Sequence, residues 1–346
     1  MEKNKTISLF HAHAEGEVGR VILSGVKVPP GATMAERARY MEIEDDQVRR
    51  ICLFEPRGGA ATSVNLITPP IEAKADLGLI IMEATEYPAM SGTNAMCAVT
   101  VALETGLIEM QVPETVVVLD TPAGLVEAHA TCADRKVTSV TLESVPSFVF
   151  CLNKKIQVPD IGTVVADVAY SGAWFALVDA PSHGIDLNPD NARTLVELGQ
   201  KITHAANQQV PVRHPEGPAV RGISFTHFGG RPKKDDQGRQ TRESAVVIQP
   251  GRLDRSPCGT GTMAKLACLI ARGEIGIGDD LVHVSPVGTR FIVRAVEATR
   301  IGEFFGIIPR ITGRAWIAGK MELLLDPTDP FQEGFTLPDT WGPGLR

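Results

Sequence analysis

Two short stretches of the chain combine residues able to move a proton with glycines and hydroxyls able to hold an anion. One is Met90-Ser91-Gly92-Thr93-Asn94 and the other runs from Asp254 through Cys258-Gly259-Thr260 to Thr262; each leads straight into an apolar, alanine-rich segment that reads as a helix. The first turn of a helix presents backbone N–H groups without intrahelical partners, and the helix dipole adds partial positive charge, so a carboxylate is welcome there. Gly92 and Gly259 allow close approach, and Thr93 and Thr260 add hydroxyl donors. A thiol at such a tip is expected to have its pKa drawn from about 8.5 toward neutrality. Taken alone, each residue also has an ordinary structural reading: Ser91 as an N-cap, Asp254 as a turn former ahead of Pro257, Cys258 as a small buried thiol.

The two stretches are related. Sliding the chain against itself by 167 residues lays Gly92 on Gly259, Thr93 on Thr260, Met96 on Met263, Gly106 on Gly273 and Ile108 on Ile275, with Ser91 facing Cys258. The offset is close to half of 346 residues, which predicts two lobes that are diverged copies of one unit. Two such tips sharing one carboxylate would leave Ser91 and Cys258 on opposite faces of the neighbouring Cα, the arrangement for moving a proton across it. N–H donors would carry the enolate-like charge, so no metal or organic cofactor is needed.

The elements that must position these tips are legible in part. Thr33-Met34-Ala35-Glu36 fits a capping box with a helix to about Arg50, and Asn188-Pro189 opens a second helix, through Leu195, Leu198 and Ile202, to about Asn207. Strand-like runs lie at Val18–Ile22, Leu79–Met82, Val116–Leu119, Val137–Leu142, Ala245–Ile248, Leu281–Val284 and Phe291–Val293, a strand-rich α+β pattern.

Bulk properties exclude several classes. Hydrophobic content of 43% with 22% charged residues is that of a globular chain. The net charge is −7 and the basic run Arg231–Lys234 is followed at once by Asp235 and Asp236, which argues against nucleic acid as a partner. No apolar stretch is long enough to span a membrane, and the start MEKNKT lacks a signal-peptide core, so a cytoplasmic protein with no membrane partner is expected. Six scattered cysteines form no C-x-x-C pair, and His11 and His13 lack a third ligand, so neither a disulfide framework nor a metal site is expected. Two rival classes remain: Gly259-x-Gly261-x-x-Ala264, with Asp279 and Asp280 further on, formally matches a dinucleotide fingerprint, and a non-catalytic carboxylate-binding protein would keep the same anion loops. The fingerprint is weakened because Gln249 to Pro257 separate the strand run from Cys258.

With "HAEGE" (13–17) and "EPRGG" (55–59), the paired "MSGTN" and "DRSPCGTGT" resemble the proline racemase family. The resemblance implies a two-lobed α+β fold like that of diaminopimelate epimerase, each lobe a curved, mostly antiparallel sheet around a central helix, with the active site in the cleft between lobes. The expected lobes are 1–158 carrying Ser91, completed by about 318–346, and 159–317 carrying Cys258. It implies that Ser91 and Cys258 are the acid/base pair, that Gly92, Thr93, Gly259 and Thr260 bind the substrate carboxylate, and that Asp254 holds the ring nitrogen. Racemases of the family carry cysteine in both acid/base positions and usually histidine where Thr93 stands; single-thiol dehydratases keep the first cysteine and replace the second. The Ser/Cys pairing is associated with hydroxyproline enzymes. The implied activity is a cofactor-independent trans-3-hydroxy-L-proline dehydratase giving Δ1-pyrroline-2-carboxylate, with 2-epimerase activity on trans-4-hydroxy-L-proline. The alternatives are mainly a 4-hydroxyproline 2-epimerase or a proline racemase. The implied partner is the amino acid substrate, with a homodimer left open. Trp174 or Phe175 are candidates for enclosing the ring, core packing being the other reading.

Overall fold

The computed structural model describes residues 5–216 and 222–342. The chain divides into two units, Met1–Leu142 with Gly313–Arg346, and Glu143–Thr312.

In the first unit β1 (Lys5–Ala14) and β2 (Glu17–Ser24) form an antiparallel hairpin. Two helices follow, α1 (Met34–Ile43) and α2 (Gln47–Leu53). β3 (Thr62–Thr68) then lies parallel to β2, and β4 (Leu77–Met82) is antiparallel to β3. After α3 (Gly92–Glu104) come β5 (Glu114–Thr121), parallel to β4, and the antiparallel β6 (Gly124–Ala133) and β7 (Lys136–Glu143).

The second unit repeats the plan. β8 (Ser147–Val158), β9 (Gly162–Tyr170) and β10 (Trp174–Asp179) are antiparallel. α4 (Ala192–Gln209) leads to β11 (Phe225–Gly229), parallel to β10. The two-residue β12 (Lys233–Lys234) precedes β13 (Gln240–Ile248), which is antiparallel to β11, and β14 (Arg252–Leu253) folds back on β13. After α5 (Gly259–Ala271) come β15 (Asp280–Val284), parallel to β13, then β16 (Arg290–Ile301) and β17 (Phe304–Gly313), both antiparallel. β17 pairs with β8 at Gly306 and Ile307, closing the unit on itself.

β18 (Ala315–Leu325) returns to the first unit and pairs along the whole of β1, from Lys5 opposite Leu325 to Ala14 opposite Ala315. The order β18-β1-β2-β3-β4-β5-β6-β7 therefore has the same sequence of parallel and antiparallel steps as β8-β9-β10-β11-β13-β15-β16-β17. The halves are copies at the level of topology. A short α6 (Pro338–Trp341) ends the described chain. The expected boundary at 158 is thus corrected to 142, because β8 finds its partners in β9 and β17 of the second unit.

Each unit is organised by one helix apolar on every side. Thr93 to Leu103 of α3 are all buried, packed among β1, β2, β3, β4, β6 and β18. α5 is buried from Gly261 to Leu269 among β8, β9, β10 and β16. Such a helix has no polar face to turn to water and must be wrapped by sheet. α4, by contrast, buries one stripe, Leu195, Gly199, Ile202, Ala205 and Ala206. Among the described residues no helix is long and apolar enough to cross a membrane.

Two helical expectations are corrected. The helix from Thr33 stops at Ile43 and restarts at Gln47, because Glu44, Asp45 and Asp46 put negative charge at a helix C-terminus, where the dipole opposes it. Thr33 does accept from the Glu36 N–H at 3.1 Å, but the Glu36 carboxylate reaches past it to the Ala32 N–H at 2.7 Å. Asn188 caps a 3-10 turn, Pro189–Asn191, and α4 begins one residue later.

Candidate active site

In the first unit Ser91 occupies the N-cap position of α3 with extended backbone, yet its side chain makes no cap hydrogen bond. Its Oγ instead lies 3.2 Å from Thr93 Oγ1 and accepts from Asn94 Nδ2 at 3.0 Å. The Asn94 amide is itself fixed: its Oδ1 accepts from Ser63 Oγ at 2.8 Å and Asn65 Nδ2 at 2.9 Å, and its Nδ2 also reaches Glu83 Oε1 at 3.3 Å. Gly19 makes room for this cluster, since a Cβ there would stand 2.8 Å from Asn94 Oδ1. The N-terminal turn of α3 holds no acidic side chain, so its N–H groups and dipole favour an anion.

In the second unit Cys258 is the N-cap of α5, again without a side-chain cap, and α5 too has no acid in its first turn. Its backbone lies at φ 63°, ψ 107°, a region costly for any residue but glycine. The sulfur sits 3.7 Å from Thr260 Oγ1, matching the contact between Ser91 and Thr93. The Gly261 N–H also supports it, and a Cβ on Gly261 would come within 3.2 Å of the sulfur. Asn94 and Gly261 are equivalent under the 167-residue offset, so each unit gives its tip residue an N–H donor, from a side chain in one and from bare backbone in the other. Asp254 Oδ1 accepts from the Ser256 N–H and hydroxyl, both at 2.8 Å, and Ser256 Oγ accepts from the Cys258 N–H at 3.0 Å.

The expected acidification of Cys258 is not found. Burial pushes its thiol well above the ordinary value, and the Asp254 carboxylate pushes it further; the Gly261 N–H and Thr260 hydroxyl pull the other way and lose. A desolvated thiolate beside a carboxylate is disfavoured more than two donors stabilise it.

Sequence reasoning missed Asn94, Gly261 and Ser256, although all three lie within or next to the two stretches; their role depends on contacts that spacing does not display. Gly92 and Thr93 form the first turn of α3, and Gly259 and Thr260 that of α5. Trp174 is fully buried, edge-on to Phe148 and Phe150, and is core. Phe175 is also buried, but its ring edge lies 3.2 Å from where a Gly261 Cβ would be, against the Cys258 tip. His13 stacks on Trp316 and accepts from the Gly16 N–H at 3.2 Å, a hairpin role; among the described residues no third ligand joins it and His11. The dinucleotide fingerprint fails on geometry: β14 and a loop intervene before α5, Asp279 accepts from the Gly276 N–H, and Asp280 pairs with Arg294. The "EPRGG" stretch holds the C-terminal strap. Arg57 meets Asp329 and the carbonyls of Phe331 and Gln332, and Glu55 accepts from the Trp341 indole.

A family model described as proline racemase matches residues 9–336. The chain is similar to a hydroxyproline epimerase from Agrobacterium vitis with bound trans-4-hydroxy-L-proline, at 40% identity and a TM-score of 0.89 over 99% of this chain and 98% of that one. It is similar to a probable proline racemase from Agrobacterium radiobacter K84 with bound carbonate, at 41% identity and a TM-score of 0.88 over 97% and 98%. A phenazine biosynthesis protein of the PhzF family from Bacillus anthracis, 12% identical, shares the fold alone, with a TM-score of 0.59 over 92% and 99%. The α+β fold is that of this epimerase-like class.

Proposed function

Since the chain belongs to the proline racemase family, we propose that it acts without a cofactor at the Cα of free hydroxyproline, with Ser91 and Cys258 as its acid/base pair. The lead reaction is dehydration of trans-3-hydroxy-L-proline to Δ1-pyrroline-2-carboxylate. The observation that carries it is the unequal equipment of the two tips. The partners of Ser91 Oγ, the Thr93 hydroxyl and the Asn94 amide, are neutral and neither can take its proton. Ser91 is therefore a poor base, and the reading gives the demanding transfer to Cys258.

In trans-3-hydroxy-L-proline the Cα–H and the hydroxyl lie on one ring face. The Cys258 thiolate takes the Cα proton, the freed electron pair forms the Cα–C3 double bond, and the C3–O bond breaks. The same proton leaves with the departing oxygen as water, which restores the thiolate, and the enamine tautomerises to the imine. No proton need reach the opposite face. Gly92, Thr93, Gly259 and Thr260 are assigned to the carboxylate and Asp254 to the ring nitrogen, whose positive charge would offset the hold of Asp254 on the thiol.

A second reading is 2-epimerisation of trans-4-hydroxy-L-proline, favoured by the Agrobacterium vitis relative, which has that amino acid bound. It asks Ser91 to return a proton to the far face. Incubation with each hydroxyproline isomer in deuterated water tests both: the expected outcome is loss of hydroxyl from the 3-hydroxy isomer, with solvent label at Cα of the 4-hydroxy isomer. Label in the 4-hydroxy isomer without elimination from the 3-hydroxy one would leave the second reading. Binding with neither would make the chain a carboxylate-binding protein.

A further inference from the structure

Beneath the Cys258 tip lies a fully buried polar group that the chemistry above does not use: Ser244 on β13, Thr262 on α5, His227 on β11 and His283 on β15. The two hydroxyls converge on one atom. Ser244 Oγ donates to the Pro257 carbonyl at 3.2 Å and Thr262 Oγ1 to the same oxygen at 3.1 Å. Each hydroxyl also meets an imidazole, Ser244 Oγ with His227 Nε2 and Thr262 Oγ1 with His283 Nδ1, both at 3.0 Å.

A hydroxyl carries one proton and a carbonyl can only accept, so both hydroxyl protons go to Pro257 and the imidazoles must donate to the hydroxyls. His227 is thereby protonated on Nε2 and His283 on Nδ1. The other nitrogens, His227 Nδ1 and His283 Nε2, are buried and make no hydrogen bond to another of the described residues. Burial, with Lys265 nearby, holds His227 down to about 3, and burial with His227, Lys265 and Arg242 holds His283 well below the usual histidine range, so both rings are neutral donors.

The Pro257 carbonyl belongs to the peptide that enters Cys258. Fixing its plane from a strand on one side and a helix on the other holds Cys258 at φ 63°, a strained conformation that persists only when its surroundings enforce it. We propose that Ser244 and Thr262, each locked by its imidazole, are positioning residues that clamp the Pro257 carbonyl and so keep the Cys258 sulfur on the Gly261 N–H. The catalytic purpose rests on the function proposed above; the clamp itself does not.

The test compares Thr262→Val, which keeps shape and loses the hydroxyl, with Thr262→Ser, which keeps the hydroxyl. Iodoacetamide labelling of Cys258 in the full chain is followed by peptide mass spectrometry, with turnover read alongside. Thr262→Val is expected to label about fivefold or more slowly, because the thiolate loses its N–H donor. Its kcat should fall about tenfold or more with KM within about twofold, as misplacement of a reacting group requires. Thr262→Ser should stay near wild type on both counts. A role in stability alone would lower the Tm of Thr262→Val and leave labelling at the wild-type rate; that result, faster labelling, or identical behaviour of the two variants overturns the clamp. If Thr262→Val does not fold, Ser244→Ala removes the other hydroxyl and is read the same way. Should the wild type turn over no hydroxyproline, the proposed function fails while labelling still judges the clamp.

Discussion

At Cys258 two effects reinforce each other, and together they decide the pH behaviour. Burial is the larger and the Asp254 charge the second; both favour the thiol over the thiolate and hold its pKa well above the ordinary thiol range. A reaction that begins from the thiolate must then gain rate with pH, and kcat/KM is expected to climb from about pH 6 to about pH 9 without levelling near neutrality. Asp254→Asn separates the two causes. Removing the carboxylate charge lowers the thiol pKa, so at about pH 7 the variant should hold more thiolate and label Cys258 severalfold faster with iodoacetamide, while turnover should fall on the proposed assignment of Asp254 to the ring nitrogen. An unchanged labelling rate would show that burial alone sets the thiol.

Among the elements, the strap from Asp326 to Trp341 receives three of its polar contacts from one side chain. Arg57, on the loop after α2, pairs with Asp329 at 3.1 Å and donates to the Phe331 and Gln332 carbonyls at 2.6 Å and 2.8 Å, while Arg50 pairs with Glu333 at 2.7 Å. Trp341 then packs edge-on against Phe54, fully buried. Hydrogen bonds to a charged group contribute a net of roughly 1.5–3 kcal/mol each, and two of the three Arg57 bonds are exposed to water, so Arg57→Ala is expected to cost about 2–3 kcal/mol in all. Faster chymotryptic cleavage after Phe331 or Phe335, together with a lower Tm, is the outcome to look for. Cleavage at the wild-type rate would mean that Trp341, Glu55 and Arg50 hold the strap without Arg57.

For the whole molecule, the repeated strand order hides an asymmetry of connection. The second unit is continuous and closed, since β17 returns to β8, whereas the first is completed by β18, which lies beyond the second unit in the chain. Leu323 of β18 belongs to the core formed with Ile7, Leu9 and Ile22. A fragment spanning 143–312 should therefore melt cooperatively by circular dichroism, and one spanning 1–142 should not until a peptide of 313–346 is supplied. A cooperative transition from 1–142 alone would contradict the role given to β18.

What the sequence determined by itself was local. Glycine-threonine tips open two helices, uniform apolar runs oblige those helices to be wrapped, and Ser91 faces Cys258 across a half-chain offset; the strand runs from Val18 to Val293 fall within β2, β4, β5, β7, β13, β15 and β16. β8 escaped because its exposed Asn153, Lys154, Lys155 and Gln157 interrupt the apolar residues, and β18 because Trp316 and Leu324 face outward and blur the alternation. The tertiary structure alone decided the protonation of Cys258, the amide beneath Ser91, the clamp on Pro257 and the pairing of β18 along β1. The physical reason is common to all four: desolvation, a carboxylate's field and a hydroxyl's single proton act through space between residues far apart in the chain, and no local pattern records their distance.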